Sequence, residues 1–351
     1  MSAPLVVIGA GGTAGHVVPA LAVADALRAS GARISFVGGE RAERELVPAA
    51  GYELHPLRVA PLPRGHPARA IRAAAVDAGA LRAALRLLAR LRPAAVLGAG
   101  GYVAGPVGLA SALRRIPLVL MEADSHLGLT NRALAPLARR VCLGFPIPGR
   151  AGGRYVLTGR PVPAPATDRT SARARFSIGE DEQCVLVFGG SQGARSINHA
   201  AIEAFAGATF RVIHAAGTRD LPDLVSPGPH YDLRGYIDDF GQALLAADLV
   251  VARSGGSVFE IAAHGRPMVL IPYPHATADH QTANARYFER AGAAIVIPDA
   301  ELTGPRLALE VGGLLADHSR LAAMAHASEA MARPDAAETI AREVLAAARV
   351  A

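Results

Sequence analysis

The sequence predicts an α/β protein built from two doubly wound parallel-sheet domains. Three observations predict it. Short apolar runs alternate with longer Ala/Leu/Arg segments along the chain. The alternation breaks once, at a Pro/Gly-rich crossing, and then resumes. Glycine-rich turns follow strand-like runs in both halves. Strands alternating with helices imply right-handed βαβ units around a parallel sheet, and 351 residues suit about two such domains.

In the first half, residues 4–8, 33–37, 94–97 and 118–121 read as strands, and residues 19–30, 40–50, 71–91, 106–115 and 129–139 as helices. The crossing contains Pro146, Pro148, Gly149, Gly152, Gly153, Pro161, Pro163 and Pro165. The domain boundary is placed there, with residues 1–158 in the first domain and 159–335 in the second. In the second half, residues 184–188, 210–215, 231–234, 249–252, 268–271 and 294–297 read as strands, and helices run from 305 onward. Two domains of this kind place a ligand cleft between the carboxyl ends of their strands.

Composition bounds the function. The chain is 51% hydrophobic and 19% charged, which excludes a disordered protein. Its basic residues are all Arg, a uniformity that points to coding bias. The net charge of +6 fits anionic ligands or an anionic membrane surface and equally an ordinary soluble enzyme. Cys142 and Cys184 lie in apolar runs and read as core residues of a reduced compartment. The amino terminus lacks the pattern of a secretory signal, and no apolar run is long enough to cross a bilayer. The expectation is a cytoplasmic protein that touches a membrane from one side.

The chemistry concentrates in four loops. Residues 9–16, Gly-Ala-Gly-Gly-Thr-Ala-Gly-His, lead from a strand into a helix and allow close backbone approach to a ligand. A dinucleotide site would want an acid at the end of the second strand. Val37-Gly38-Gly39 stands there, with Glu40 late, which argues against NAD. Residues 189–195, Gly-Gly-Ser-Gln-Gly-Ala-Arg, offer successive amides at a helix start, suited to a diphosphate. Residues 253–260 form a third strand-to-helix turn; Glu260 can accept from ribose hydroxyls, although a helix dipole also favours an acid there. Residues 275–284 form a polar loop in which Gln281 and Asn284 can meet sugar hydroxyls, or simply solvent. His16, His126, His275 and His280 have no metal-ligand spacing.

GGTAGHVVPALAVADAL, GAGGYVAGP, GLTNRALAPLA, FGGSQGARSIN, GYIDDF and SGGSVFEIAAHG, followed by Gln281 and Asn284, resemble the MurG family in order from about residue 5 to the last helices. The resemblance implies a GT-B fold, two Rossmann-like domains facing across a cleft, with the acceptor in the first and the nucleotide in the second. It implies that residues 336–351 form a terminal helix crossing back to the first domain. It implies an inverting transfer of GlcNAc from UDP-GlcNAc to the C4 hydroxyl of MurNAc-pentapeptide on undecaprenyl diphosphate, with no metal or other cofactor. Carried over, Thr13, Ala14 and Gly15 line the sugar and diphosphate, Ser191 touches the diphosphate, and Ile237 presents backbone to uracil. Ser257 and Glu260 bind phosphate and ribose, and Gln281 binds GlcNAc. His16 matches the proposed base, with Asp124 or Glu122 as alternatives. A peripheral position on the cytoplasmic face of the membrane and contacts with cell-wall synthesis enzymes are implied; nucleic acid is not.

Three departures stand out. The family's His-Glu-Gln-Asn reads Met121-Glu122-Ala123-Asp124, and Asp124 accepts sugar hydroxyls but cannot donate as an amide does. The Arg expected after Gly-Asn-Pro-Val is absent from Gly159-Arg160-Pro161-Val162-Pro163, leaving Arg160 to supply the charge. The interval from Arg253 to Glu260 is one residue short. The residues leave open a UDP-sugar epimerase, a non-catalytic UDP-sugar-binding protein or, less well, a nicotinamide oxidoreductase. Residues 64–92 interleave leucines with arginines at helical spacing, which suits either a crossover helix or an anionic bilayer surface.

Overall fold

The computed structural model describes residues 3–12, 14–59, 67–190 and 192–349, with the backbone alone at 14 and 67–77. Thr13, Ser191 and residues 60–66, which include the start of the expected 64–92 membrane segment, lie outside the described residues. The chain divides into two compact units, Met1–Pro163 with Arg333–Ala351, and Ala164–Ala332. The division falls at 163/164 and 332/333, slightly away from the boundaries read in the sequence.

The first unit holds a seven-stranded sheet. Its strands are β1 (Leu5–Gly9), β2 (Arg33–Gly38), β3 (Glu53–Pro56), β4 (Ala95–Gly98), β5 (Leu118–Glu122), β6 (Arg140–Leu143) and β7 (Tyr155–Leu157). They run in the order β3-β2-β1-β4-β5-β6-β7, all parallel. The second unit holds a six-stranded parallel sheet of β8 (Cys184–Phe188), β9 (Arg211–Ala215), β10 (Tyr231–Arg234), β11 (Leu249–Ala252), β12 (Met268–Leu270) and β13 (Ala294–Val296). Its order is β10-β9-β8-β11-β12-β13. In each sheet the order reverses beside the first strand, between β1 and β4 and between β8 and β11. That reversal opens a crevice at the carboxyl ends of the strands, and both glycine turns emerge there.

All six strands of the second unit match the expected ones. In the first unit β3, β6 and β7 escaped. The first and last of these are short edge strands with no fully buried residue, so their alternation is faint. β6 directly follows a segment read as a helix to 139; that helix ends at Leu134 and a 3-10 turn occupies Ala135–Leu137.

The first helix also departs from expectation. Proline favours a helix start, so the sequence reading begins it at Pro19. It begins at Ala14 and runs to Ala29, with Pro19 inside. A proline there has no N–H to give the carbonyl four residues back and clashes with it. Gly15 therefore keeps a carbonyl without a helical donor, and Arg160 Nη2 takes it at 2.6 Å.

The closing helix Ala336–Arg349 packs on Ala14–Ala29. Ile340 and Val344 join Val17, Val23 and Leu27 in one fully buried cluster. Each such aliphatic side chain contributes about 1.5–3 kcal/mol on burial. Cys142 and Cys184 are free and buried, and burial pushes both thiols up to about 12, as inert core residues require.

Candidate active site

In the first unit the glycine turn after β1 is closely walled. Gly101 has φ +74°, and a Cβ there would lie 1.9 Å from the Gly11 carbonyl oxygen. The next residue back, Gly100, lies against the His16 ring, where a Cβ would stand 2.6 Å from Cδ2. His16 is therefore half-buried beside the turn. Burial lowers its pKa first; Asp124 raises it, Arg160 lowers it and Glu43 raises it. These four groups thus converge within the first unit. Arg160 is 7% exposed, and its guanidinium donates to the carbonyls of Gly15 at 2.6 Å and Ala123 at 3.4 Å. The guanidinium that the sequence assigns to substrate is engaged with backbone carbonyls beside His16.

Glu122 ends β5 and faces inward, 7% exposed. Its Oε1 accepts from Asp124 N at 3.3 Å, and its Oε2 from Gly128 N and Asn131 Nδ2, both at 2.9 Å. Asn131 Nδ2 also donates to the Met121 carbonyl at 3.0 Å. Burial raises the Glu122 pKa against these donors. With both oxygens engaged, this carboxylate shapes the loop that presents Asp124.

In the second unit the turn after β8 is equally tight. Gly193 has φ +71°, and a Cβ there would meet the Ala216 carbonyl oxygen at 2.1 Å. The helix Arg195–Ala204 follows with no side-chain cap, which leaves its first amides for an anion. After β11, Arg253 is 8% exposed; it donates to the carbonyls of Ile271 and Pro272, to Asp299 Oδ1 at 2.5 Å and to Ser196 Oγ at 2.8 Å. Ser254 Oγ donates to the Gln281 carbonyl at 2.7 Å, and Gln281 Oε1 accepts from Tyr273 N at 3.0 Å. Ser257 precedes the short helix Val258–Ala263, which carries the half-exposed Glu260 in its first turn. His264 Nδ1 donates to the Glu260 carbonyl at 2.7 Å, and its Nε2 accepts from Ala166 N at 3.2 Å. Those partners fit a neutral ring, and burial lowers its pKa accordingly. Ile237 lies in the loop after β10 with its side chain buried.

Asn284 requires a correction. The sequence places it in a polar loop, free to meet a sugar; it is fully buried in the helix His280–Arg290, where Nδ2 donates to the Ser254 carbonyl at 3.1 Å. It supports the β11 turn from beneath. Gln281, one turn earlier on the same helix, remains half-exposed; a Cβ on Gly255 would lie 3.8 Å from its Nε2.

Two family models match the chain, the glycosyltransferase family 28 N-terminal domain over residues 6–143 and the family 28 C-terminal domain over residues 184–340. A relative from Alkalilimnicola ehrlichii is 45% identical, over 99% of this chain and 100% of its own. One from Salinibacter ruber is 42% identical, over 98% and 97%. Both are named UDP-N-acetylglucosamine–N-acetylmuramyl-(pentapeptide) pyrophosphoryl-undecaprenol N-acetylglucosamine transferase. The chain belongs to the MurG family of glycosyltransferases. The solved structure of Acinetobacter baumannii MurG is 28% identical and superposes with a TM-score of 0.80, covering 98% of this chain and 99% of that one. A UDP-GlcNAc 2-epimerase from Neisseria meningitidis, 14% identical with a TM-score of 0.67, shares the GT-B fold alone.

For this MurG-family chain, sequence reasoning found the loops and missed their supports. Glu43, Asn131, Arg253 and His264 all bond to backbone that shapes a loop. Glu43 had a faint signal, an acid one helical turn beyond Glu40 in a segment rich in exposed charge.

Proposed function

We propose that this enzyme transfers GlcNAc from UDP-GlcNAc to the C4 hydroxyl of MurNAc-pentapeptide on undecaprenyl diphosphate, inverting the anomeric centre. The carrying observation is 45% identity to a transferase so named, over both units and both glycine turns. In the first unit, His16 takes the proton from the acceptor hydroxyl as its oxygen attacks the anomeric carbon. A neutral imidazole is required for this, and burial favours that form. Asp124 accepts from sugar hydroxyls nearby, Glu122 holds its loop, and Thr13, Ala14 and Gly15 are the residues assigned to the sugar and diphosphate. Arg160 acts from behind this group through the Gly15 carbonyl.

In the second unit, the bond from the anomeric carbon to UDP breaks and its electron pair goes to the β-phosphate. The amides at the start of Arg195–Ala204, with Ser191 and the Ser257 hydroxyl, receive that charge. Glu260 accepts from ribose, the Ile237 backbone meets uracil and Gln281 meets GlcNAc. This division of labour asks for no cofactor.

The acceptor is lipid-linked, so the enzyme works at the cytoplasmic face of the membrane, beside other enzymes of cell-wall synthesis. Among the described residues no helix is long and apolar enough to cross a bilayer. Leu109 and Leu113 are exposed on one face of the helix Ala104–Leu113, next to the exposed Arg114 and Arg115. Apolar insertion beside arginines is the chemistry of an anionic interface.

Mass spectrometry after mixing the protein with UDP-GlcNAc and a short-chain lipid I analogue tests the reading. The acceptor should gain one GlcNAc as UDP is released. An unchanged acceptor with isomerised UDP-sugar would make the protein an epimerase.

A further inference from the structure

The first unit buries a carboxylate that the mechanism above does not use. Glu43 sits in the first turn of the helix Ala42–Ala49 and is fully buried. Its Oε1 accepts the Gly39 N–H at 2.8 Å, and its Oε2 accepts the Gly12 N–H at 3.0 Å. The strand ends around it are stripped of side chains. A Cβ on Gly38 would stand 2.7 Å from Glu43 Cγ, and one on Gly39 would stand 2.8 Å from Oε1. In a dinucleotide domain the acid after the second strand reaches outward to a ribose. Here the buried acid reaches inward, and both its oxygens hold main-chain amides of the turns after β1 and β2.

We infer that Glu43 is a positioning residue for the transfer: its carboxylate fixes the glycine turn that leads to His16 and acts electrostatically on the imidazole. The inference rests on the transferase reading above. The turn it fixes is walled on its other side by Gly101, and Gly100 beside it packs on the His16 ring. Movement of the Gly12 amide therefore loosens both the turn and the ring's wall. A misplacement of about 1 Å in such a site costs on the order of 100-fold in rate. The charge acts separately from the geometry. Glu43 and Asp124 favour the imidazolium, while burial and Arg160 oppose it. Tyr102 lies next to Glu43, with Arg41 stacked 5.4 Å from its ring centre.

The test compares full-length wild type with Glu43→Gln and Glu43→Asp, using UDP-GlcNAc and a short-chain lipid I analogue. Glu43→Gln keeps one amide acceptor and loses the charge. Its kcat should fall about 10- to 100-fold, while donor KM and UDP affinity by calorimetry stay within about twofold. The acid limb of its kcat profile should move to lower pH, because a charge that favours the imidazolium is gone. Glu43→Asp keeps the charge on a shorter arm, so kcat should fall with the acid limb unmoved. An active wild type with an unchanged kcat in Glu43→Gln overturns the inference. So does a fall in kcat with the same limb in all three proteins, which is the mark of a merely structural role. A wild type that forms no product overturns the transferase reading itself.

Discussion

Removing the Glu122 carboxylate separates loop support from catalysis. Glu122→Ala strips the acceptor from Gly128 N and Asn131 Nδ2, both bonded at 2.9 Å, and from the longer contact with Asp124 N. Asn131 keeps its bond to the Met121 carbonyl, so Gly128 N–H loses most. Each buried donor left alone costs about 1–3 kcal/mol. Relief of a buried charge offsets part of this, giving a net loss of about 2–3 kcal/mol. Glu122→Gln retains one oxygen for the two short bonds and should lose about 1 kcal/mol. The pH dependence has a definite sign. Burial raises the Glu122 pKa, so the folded chain binds its proton more tightly than the unfolded chain. Stability from this group therefore declines as pH rises from the ordinary carboxyl range to the raised value. The Gln variant escapes that decline and should compare better with wild type at neutral pH than at acid pH. Two units make a global unfolding curve composite, so hydrogen-exchange mass spectrometry of residues 118–134 is the better assay. Exchange in the 124–131 loop of Glu122→Ala should accelerate about 30- to 140-fold, at tenfold per 1.4 kcal/mol. The kcat of Glu122→Gln should stay within about tenfold of wild type, where loss of a general base removes about 10²–10⁴-fold. Native-like exchange with a kcat reduced 10³-fold would refute the reasoning and make Glu122 the base.

Other expectations follow the same division between loops and supports. His16→Ala should lower kcat by about 10²–10⁴-fold, while Glu260→Ala should mainly raise donor KM; steady-state kinetics with varied UDP-GlcNAc distinguish them. Burial holds the His16 pKa below the ordinary imidazole value. The acid limb of kcat should therefore lie at lower pH than for a solvated histidine, and Arg160→Met, which removes an opposing charge, should move it upward. Sedimentation with anionic vesicles should show salt-sensitive binding that weakens in Leu109→Glu/Leu113→Glu and in Arg64→Glu/Arg69→Glu/Arg72→Glu. Equal binding by all three proteins would place the contact elsewhere.

Much of the fold was legible because buried parallel strands carry continuous apolar runs. Val185–Phe188 and Leu249–Ala252 are such runs, buried throughout. The edge strand Glu53–Pro56 was illegible because its side chains are only partly covered. The loops were visible through glycine, whose spacing records close approaches such as that of Gly193 to Ala216. Their supports were hidden because support is a tertiary relation. Arg160 reaches Gly15 across 145 positions, and nothing near either residue announces the other. Asn284 stands beside Gln281 in the sequence, yet one helical turn carries it from surface to core.

The closing helix has a consequence for biosynthesis. Ile340 and Val344 complete a core whose other walls come from residues 6–142. At bacterial-type elongation rates of about 5–20 residues per second, roughly 10–40 s separate Pro163 from the end of that helix. Throughout that interval Val17, Val23 and Leu27 on the helix Ala14–Ala29 wait for their cover. The unit begun first on the ribosome is thus the one finished last. Its nascent form should be the principal client of chaperones, and a chain ending before Ala336 should aggregate through its amino-terminal half.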